Sequence, residues 1–177
     1  TTAQGAIYAK GGAQGGDGGR IETSGHTLIT QGVTGSASAP KGMAGEWLFD
    51  PGTIEVRSDG GALGSSSLSA SSDTWITDTS IESFLNNGTS VTLAANEHLV
   101  VHTDINKTAG GDVTLTLKAN GRISTGNIYS TAGKLNVVVW VEADGGGSYG
   151  ASLVNISTNG GHVWVGGGAG TRVWNGL

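Results

Sequence analysis

The sequence predicts an all-β chain folded as a parallel β-helix, and three observations carry that prediction. Val91-Thr92-Leu93, Val113-Thr114-Leu115 and Leu135-Asn136-Val137 recur 22 residues apart, and a fixed spacing of short apolar runs marks a solenoid. Gly supplies 33 of 177 residues without a three-residue period, which excludes collagen and, with Ser, Thr and Asn filling the gaps, indicates short strands joined by tight turns. The unit is too short for a helical hairpin and uses Thr, Val and Gly rather than Ala, Leu and Glu. Coils of about 22 residues, stacked about 4.8 Å apart, place Val91, Val113, Leu135 and Val163 in one interior column.

Residues 1–58 read as the N-terminal coils. Ala6-Ile7-Tyr8-Ala9, Arg20-Ile21-Glu22-Thr23 and Thr27-Leu28-Ile29-Thr30 are short alternating runs between glycine turns. Gly15-Gly16-Asp17-Gly18-Gly19 has the composition of a calcium-binding glycine-aspartate repeat, but it occurs once and lacks the nine-residue period, so it is a turn. In Gly42 to Val56 an aromatic pair precedes one of two prolines. Pro51 has no N–H and pushes Asp50 toward an extended conformation, so the strand carrying Trp47 and Phe49 ends there and another, Thr53 to Val56, begins. The cluster is a structural joint, not a catalytic motif.

Residues 59–77 are rich in Ser and Gly without a period and are expected to loop away from the stack. Residues 78–88 should form one short α-helix: Ile81, Phe84 and Leu85 fall at i, i+3 and i+4, Thr79 and Glu82 make a capping box, and Gly88 ends it. Residues 89–177 are the C-terminal coils, with Ile105, Ile128 and Ile156 as a second column. The step to Val163 lengthens to 28 through a six-residue surface insertion in Asp144 to Gly150.

Several function classes drop out. Charged residues make up 13% of the chain, with a net charge of −5 and nine scattered Lys and Arg, so the clustered cations that nucleic acid requires are missing. No run of 18 apolar residues exists. Without cysteine there is no thiolate or disulfide chemistry, an absence compatible with export of an unfolded chain through a narrow pore. Thr1 opens mid-pattern, without a basic n-region or an apolar h-region, so any secretion signal is expected to lie outside this chain or to be absent. His98 and His102 lie four apart with no third ligand, so no metal is expected. Stepping Asp104 or Glu97 by 22 or 23 residues reaches Gly126, Asn127, Ala119 or Asn120, so no acidic column forms. No catalytic residue and no cofactor site can be assembled.

The surface feature that stands out is aromatic. If Val113, Leu115 and Leu117 point inward, Trp140 and Trp164 point outward in successive coils. Four residues out of register, they would lie about 14 Å apart, either open as two platforms for sugar rings or covered by the insertion.

The ordered set Gly19-Arg20-Ile21-Glu22-Thr23-Ser24-Gly25, Gly45-Glu46-Trp47-Leu48-Phe49-Asp50-Pro51, Ser80-Ile81-Glu82-Ser83-Phe84-Leu85 and Gly88-Thr89-Ser90-Val91-Thr92-Leu93 resembles the repetitive shaft of filamentous-haemagglutinin-like exoproteins, the adhesins of bacterial two-partner secretion. The resemblance spans about residues 15–165. It implies a right-handed β-helix, export through an outer-membrane β-barrel transporter, and display on the bacterial surface for adhesion or biofilm contact. The family's Asn-Pro-Asn secretion motifs are absent from this chain, as is a toxin-like C-terminal domain, so an interior or distal shaft segment is implied. The expected function is that of a non-enzymatic, monomeric segment of a secreted adhesin. Its expected contact is a host-surface or matrix glycan or protein, with Trp140 and Trp164 as the glycan-contact candidates. A carbohydrate-binding module is the first alternative and a polysaccharide-degrading β-helix enzyme the second.

Overall fold

The computed structural model describes residues 1–30, 33–58 and 74–170. In chain order its elements are β1 Gly5–Tyr8, β2 Arg20–Ser24, β3 Val33–Ser36, β4 Glu46–Asp50, β5 Ile54–Arg57, β6 Thr74–Thr77, α1 Asp78–Asn86, β7 Ser90–Ala95, β8 Leu99–Val101, β9 Ile105–Lys107, β10 Val113–Ala119, β11 Ile123–Ser124, β12 Ile128–Ser130, β13 Leu135–Val141, β14 Ala151–Ser152, β15 Ile156–Ser157 and β16 Val163–Gly167. The strands pair in parallel and stack as a β-solenoid of about six turns, about 26 residues apart. The main sheet runs β16-β13-β10-β7-β4-β2, a second β14-β11-β8-β5-β6, a third β15-β12-β9, and β1 pairs with β3.

The coils are less uniform than the 22-residue period suggests. β10 and β13 keep that step, Val113 lying opposite Leu135. Val91, however, lies opposite Leu115, and Val163 opposite Val137. The interior column is therefore Ile21, Trp47, Val91, Leu115, Val137 and Val163, correcting the expected set of Val91, Val113, Leu135 and Val163. The cause lies in the turns. Leu99 to Ile105 and Ile105 to Leu115 are each one residue longer than the equivalent Ile123 to Ile128 and Ile128 to Val137. The insertion sets Ala151 opposite Ile123 and Ile156 opposite Ile128, and a shorter turn before β16 recovers two residues. Each register shift is of two residues, so the inward face is preserved. The second column, Ile105, Ile128 and Ile156, stands as expected.

The joint at residues 42–56 is a core hub. Trp47 and Phe49 are buried and stack at a centroid distance of 5.4 Å, and Phe84 of α1 packs 4.6 Å from Trp47 and 6.0 Å from Phe49. The buried Trp47 indole N–H donates to Thr23 Oγ1 at 3.3 Å, which removes the cost of an unpaired donor. Pro51 is buried in the turn between β4 and β5.

Residues 59–73 of the expected loop, and 171–177 of the expected C-terminal coils, lie outside the described residues. Thr74–Thr77, the end of the loop range, is a strand: β6 pairs with β5, and Thr74 Oγ1 accepts from Leu28 N at 2.7 Å. The helix follows at once. Its N-cap is Thr77, whose side chain accepts from Ser80 N, rather than Thr79; Gly88 follows the C-cap Asn87 at φ +85°. Ile81, Phe84 and Leu85 are buried.

No described helix is long and apolar enough to cross a membrane.

Candidate functional site

Alternation along β10, β13 and β16 sends one residue in two to the outer face of the main sheet. There Thr116 pairs with Val138 and Val138 with Trp164, while Lys118 pairs with Trp140 and Trp140 with Gly166. Trp140 and Trp164 are thus two residues out of register, not four. Their ring centroids lie 6.1 Å apart at 75°, edge to face, which overturns the 14 Å separation expected of two independent platforms. The two indoles form one aromatic unit.

Its neighbours fix that unit. Trp140 Nε1 donates to Gly168 O at 3.2 Å, and Lys118 Nζ stands 5.0 Å from the Trp140 ring centroid, within cation–π range. A Cβ at position 166 would fall 2.6 Å from the Trp164 ring, so glycine there lets the indole lie across its own strand. Val138 points outward between them yet is buried. Both tryptophans are half-buried, leaving a compact apolar surface beside one cation. Such a surface suits a single sugar ring packed by its C–H face.

The Asp144–Gly150 insertion begins beside Ala169, which a Cβ at position 145 would meet at 3.0 Å, and runs on to Tyr149. Tyr149 meets His98 edge to face at 5.3 Å, and its N–H donates to Glu142 Oε1. Together they border a cleft of about 270 Å³ that includes Glu97 and Asp144.

The remaining sequence candidates resolve into structural roles. His98 Nδ1 accepts from Arg122 N at 3.1 Å, whereas His102 Nε2 sits 3.7 Å from Glu55; among the described residues no three His, Asp or Glu are grouped to hold a metal ion. Asp17 Oδ1 accepts from Met43 N at 2.8 Å and so ties a turn. Stepping from Asp104 gives an amide ladder: Asp104 Oδ1 accepts from Asn127 Nδ2 at 2.8 Å, and Asn127 Oδ1 accepts from Asn155 Nδ2 at 3.0 Å.

One cluster escaped the sequence search. Glu55 is buried on β5, where its Oε2 accepts from Arg57 Nε at 2.7 Å and from Arg57 Nη2, with His102 beyond. Glu55 lies opposite Trp75 on β6 and Val100 on β8. The signal was the alternation Ile54-Glu55-Val56-Arg57, which puts acid and base on one face. A buried carboxylate needs such a partner.

The chain matches no family model and no curated protein.

Proposed function

We propose that this chain is a rigid β-helical shaft segment of a large secreted bacterial adhesin, exported by two-partner secretion, with the Trp140–Trp164 unit as a weak glycan contact on its side. The observation that carries this proposal is the stack itself, whose unbroken interior columns suit a rod that spaces other parts of a protein. The ordered motif set that resembles haemagglutinin-like shafts supports it, and so does the absence of cysteine, which suits export of an unfolded chain. Its partners would be the outer-membrane transporter and a host or matrix surface, and it would carry no catalytic activity.

The test fuses the chain behind a two-partner secretion domain in cells expressing the cognate transporter. Surface display of a protease-resistant product is expected, and retention in the periplasm would contradict the proposal. Release of reducing ends from a polysaccharide panel would instead favour the enzyme. A carbohydrate-binding module is the second reading, and the contact between the two outward indoles favours it.

A further inference from the structure

A groove of about 640 Å³ lies where β7, β10 and β13 begin, and Trp140 and Trp164 are not among its lining residues. Its volume falls in the roughly 300–1,000 Å³ range of small-molecule sites. Thr114 and Asn136 are register partners on its floor, with Ser90 one coil before them, so the groove crosses successive coils. The loop bearing Pro40, Met43 and Ala44 forms one wall, with Met43 exposed. Gly111 and Asp112 contribute from the turn before β10.

The lining decides the class of ligand. β10 is paired on both sides, by β7 and β13, so its backbone has no free edge to which an extended peptide could add as a strand. What faces the groove is hydroxyl, carboxamide and thioether. Among the described residues no Lys or Arg lines it and the one charged lining residue is Asp112, whose Oδ1 accepts from Lys134 N at 2.8 Å. A carboxylate among neutral dipoles accepts from sugar hydroxyls and repels anions.

We propose that this groove binds a neutral oligosaccharide, its hydroxyls meeting Ser90, Thr114, Asn136 and Asp112 and a ring face resting on Met43. This site rests on the glycan reading of the outer face but uses none of the tryptophan unit. Gly111 supplies the probe, because among the described residues a Cβ there meets nothing within 4 Å. Gly111→Leu fills the groove from open space.

The intact chain, labelled with ¹⁵N, would be titrated with neutral hexose and N-acetylhexosamine tetrasaccharides and with their sialylated or sulfated counterparts. The expected result is amide shifts at Gly111, Thr114 and Asn136 with the neutral set alone. Gly111→Leu should weaken them about tenfold or more with the dispersed spectrum kept, whereas the double change Trp140→Ala, Trp164→Ala should leave them unaltered. Should Gly111→Leu fail to fold, Thr114→Arg blocks the same floor from an outward position. Shifts confined to the indoles would overturn the groove and leave the tryptophan contact standing. An absence of shifts at both places would overturn both, and equal binding of the anionic set would overturn the neutral assignment.

Discussion

Leu115 and Thr114 are neighbours in β10 that face opposite ways. Leu115 is fully buried in a column, and Thr114 is half-buried outside, its Oγ1 accepting from Asn136 Nδ2 at a long 3.4 Å. Leu115→Ala should cost roughly 2–5 kcal/mol and Thr114→Ala under about 0.5 kcal/mol; equal losses in urea titrations would mean the faces are assigned wrongly. This contrast was legible in sequence because strand alternation requires no tertiary knowledge. Lys107 was not legible. It is fully buried in a column whose members hold the next turn: Lys107 Nζ donates to Ala109 O at 2.8 Å and also to Ala132 O, and its register partner Ser130 donates to Gly133 O at 3.0 Å. Alternation from Ile105 puts Lys107 on the inward face, but its charge makes hydropathy assign it to solvent. Burial lowers its pKa below the usual 10.5, against an opposing pull from Asp112. Between that lowered value and 10.5 the unfolded chain binds more protons, so stability rises with pH in that window. The stability of the native chain relative to Lys107→Met should therefore rise as pH climbs toward 10.5. A constant difference across that range would show that Lys107 titrates as it does in the unfolded chain.

Among the elements, the helix shows how far a pattern can be read. Its apolar stripe was visible in Ile81, Phe84 and Leu85. Its polar stripe, Asp78, Glu82 and Asn86 at steps of four, gained meaning once the structure placed it against β9. Glu82 Oε1 accepts from Asn106 N at 2.7 Å, Asn86 Oδ1 from Thr108 N at 2.8 Å, and Asp78 Oδ2 from the Thr103 hydroxyl at 2.9 Å. Side chains of α1 thus supply the acceptors that a neighbouring strand's carbonyls would otherwise offer. The helix stands in for a strand of the third sheet. Glu82→Ala and Asn86→Ala should each cost about 1 kcal/mol and speed hydrogen exchange at the Asn106 and Thr108 amides, whereas Glu82→Gln, which keeps an acceptor, should restore most of the protection. Unchanged exchange in both alanine variants would contradict the substitution of helix for strand. The strand columns were legible only to within two residues. Period-2 alternation fixes which side chains point inward, but turn length fixes which of them meet, and one-residue differences in Gly-, Ser- and Asn-rich turns leave no mark in a hydrophobic pattern.

For the whole molecule, the same two-residue shift changes the functional expectation. The sequence made two separated platforms of Trp140 and Trp164, whereas the coil pairing makes them one unit. Truncating either should therefore remove most of a glycan contact at that face, and the double change should add little, because contacting residues are not additive. Independent, additive losses in a titration would contradict a single unit. A rigid stack advances one strand spacing per coil. Arg20 and His162 are both exposed and belong to one outward column six strands long, so five spacings of about 4.8 Å separate them, about 24 Å in all. The chain has no cysteine, so Arg20→Cys and His162→Cys accept paired nitroxide labels without further change. Double electron–electron resonance should give a single narrow distribution centred near that spacing, allowing for label length, whereas a broad or multiple distribution, or one centred beyond about twice that distance, would contradict the stacked rod.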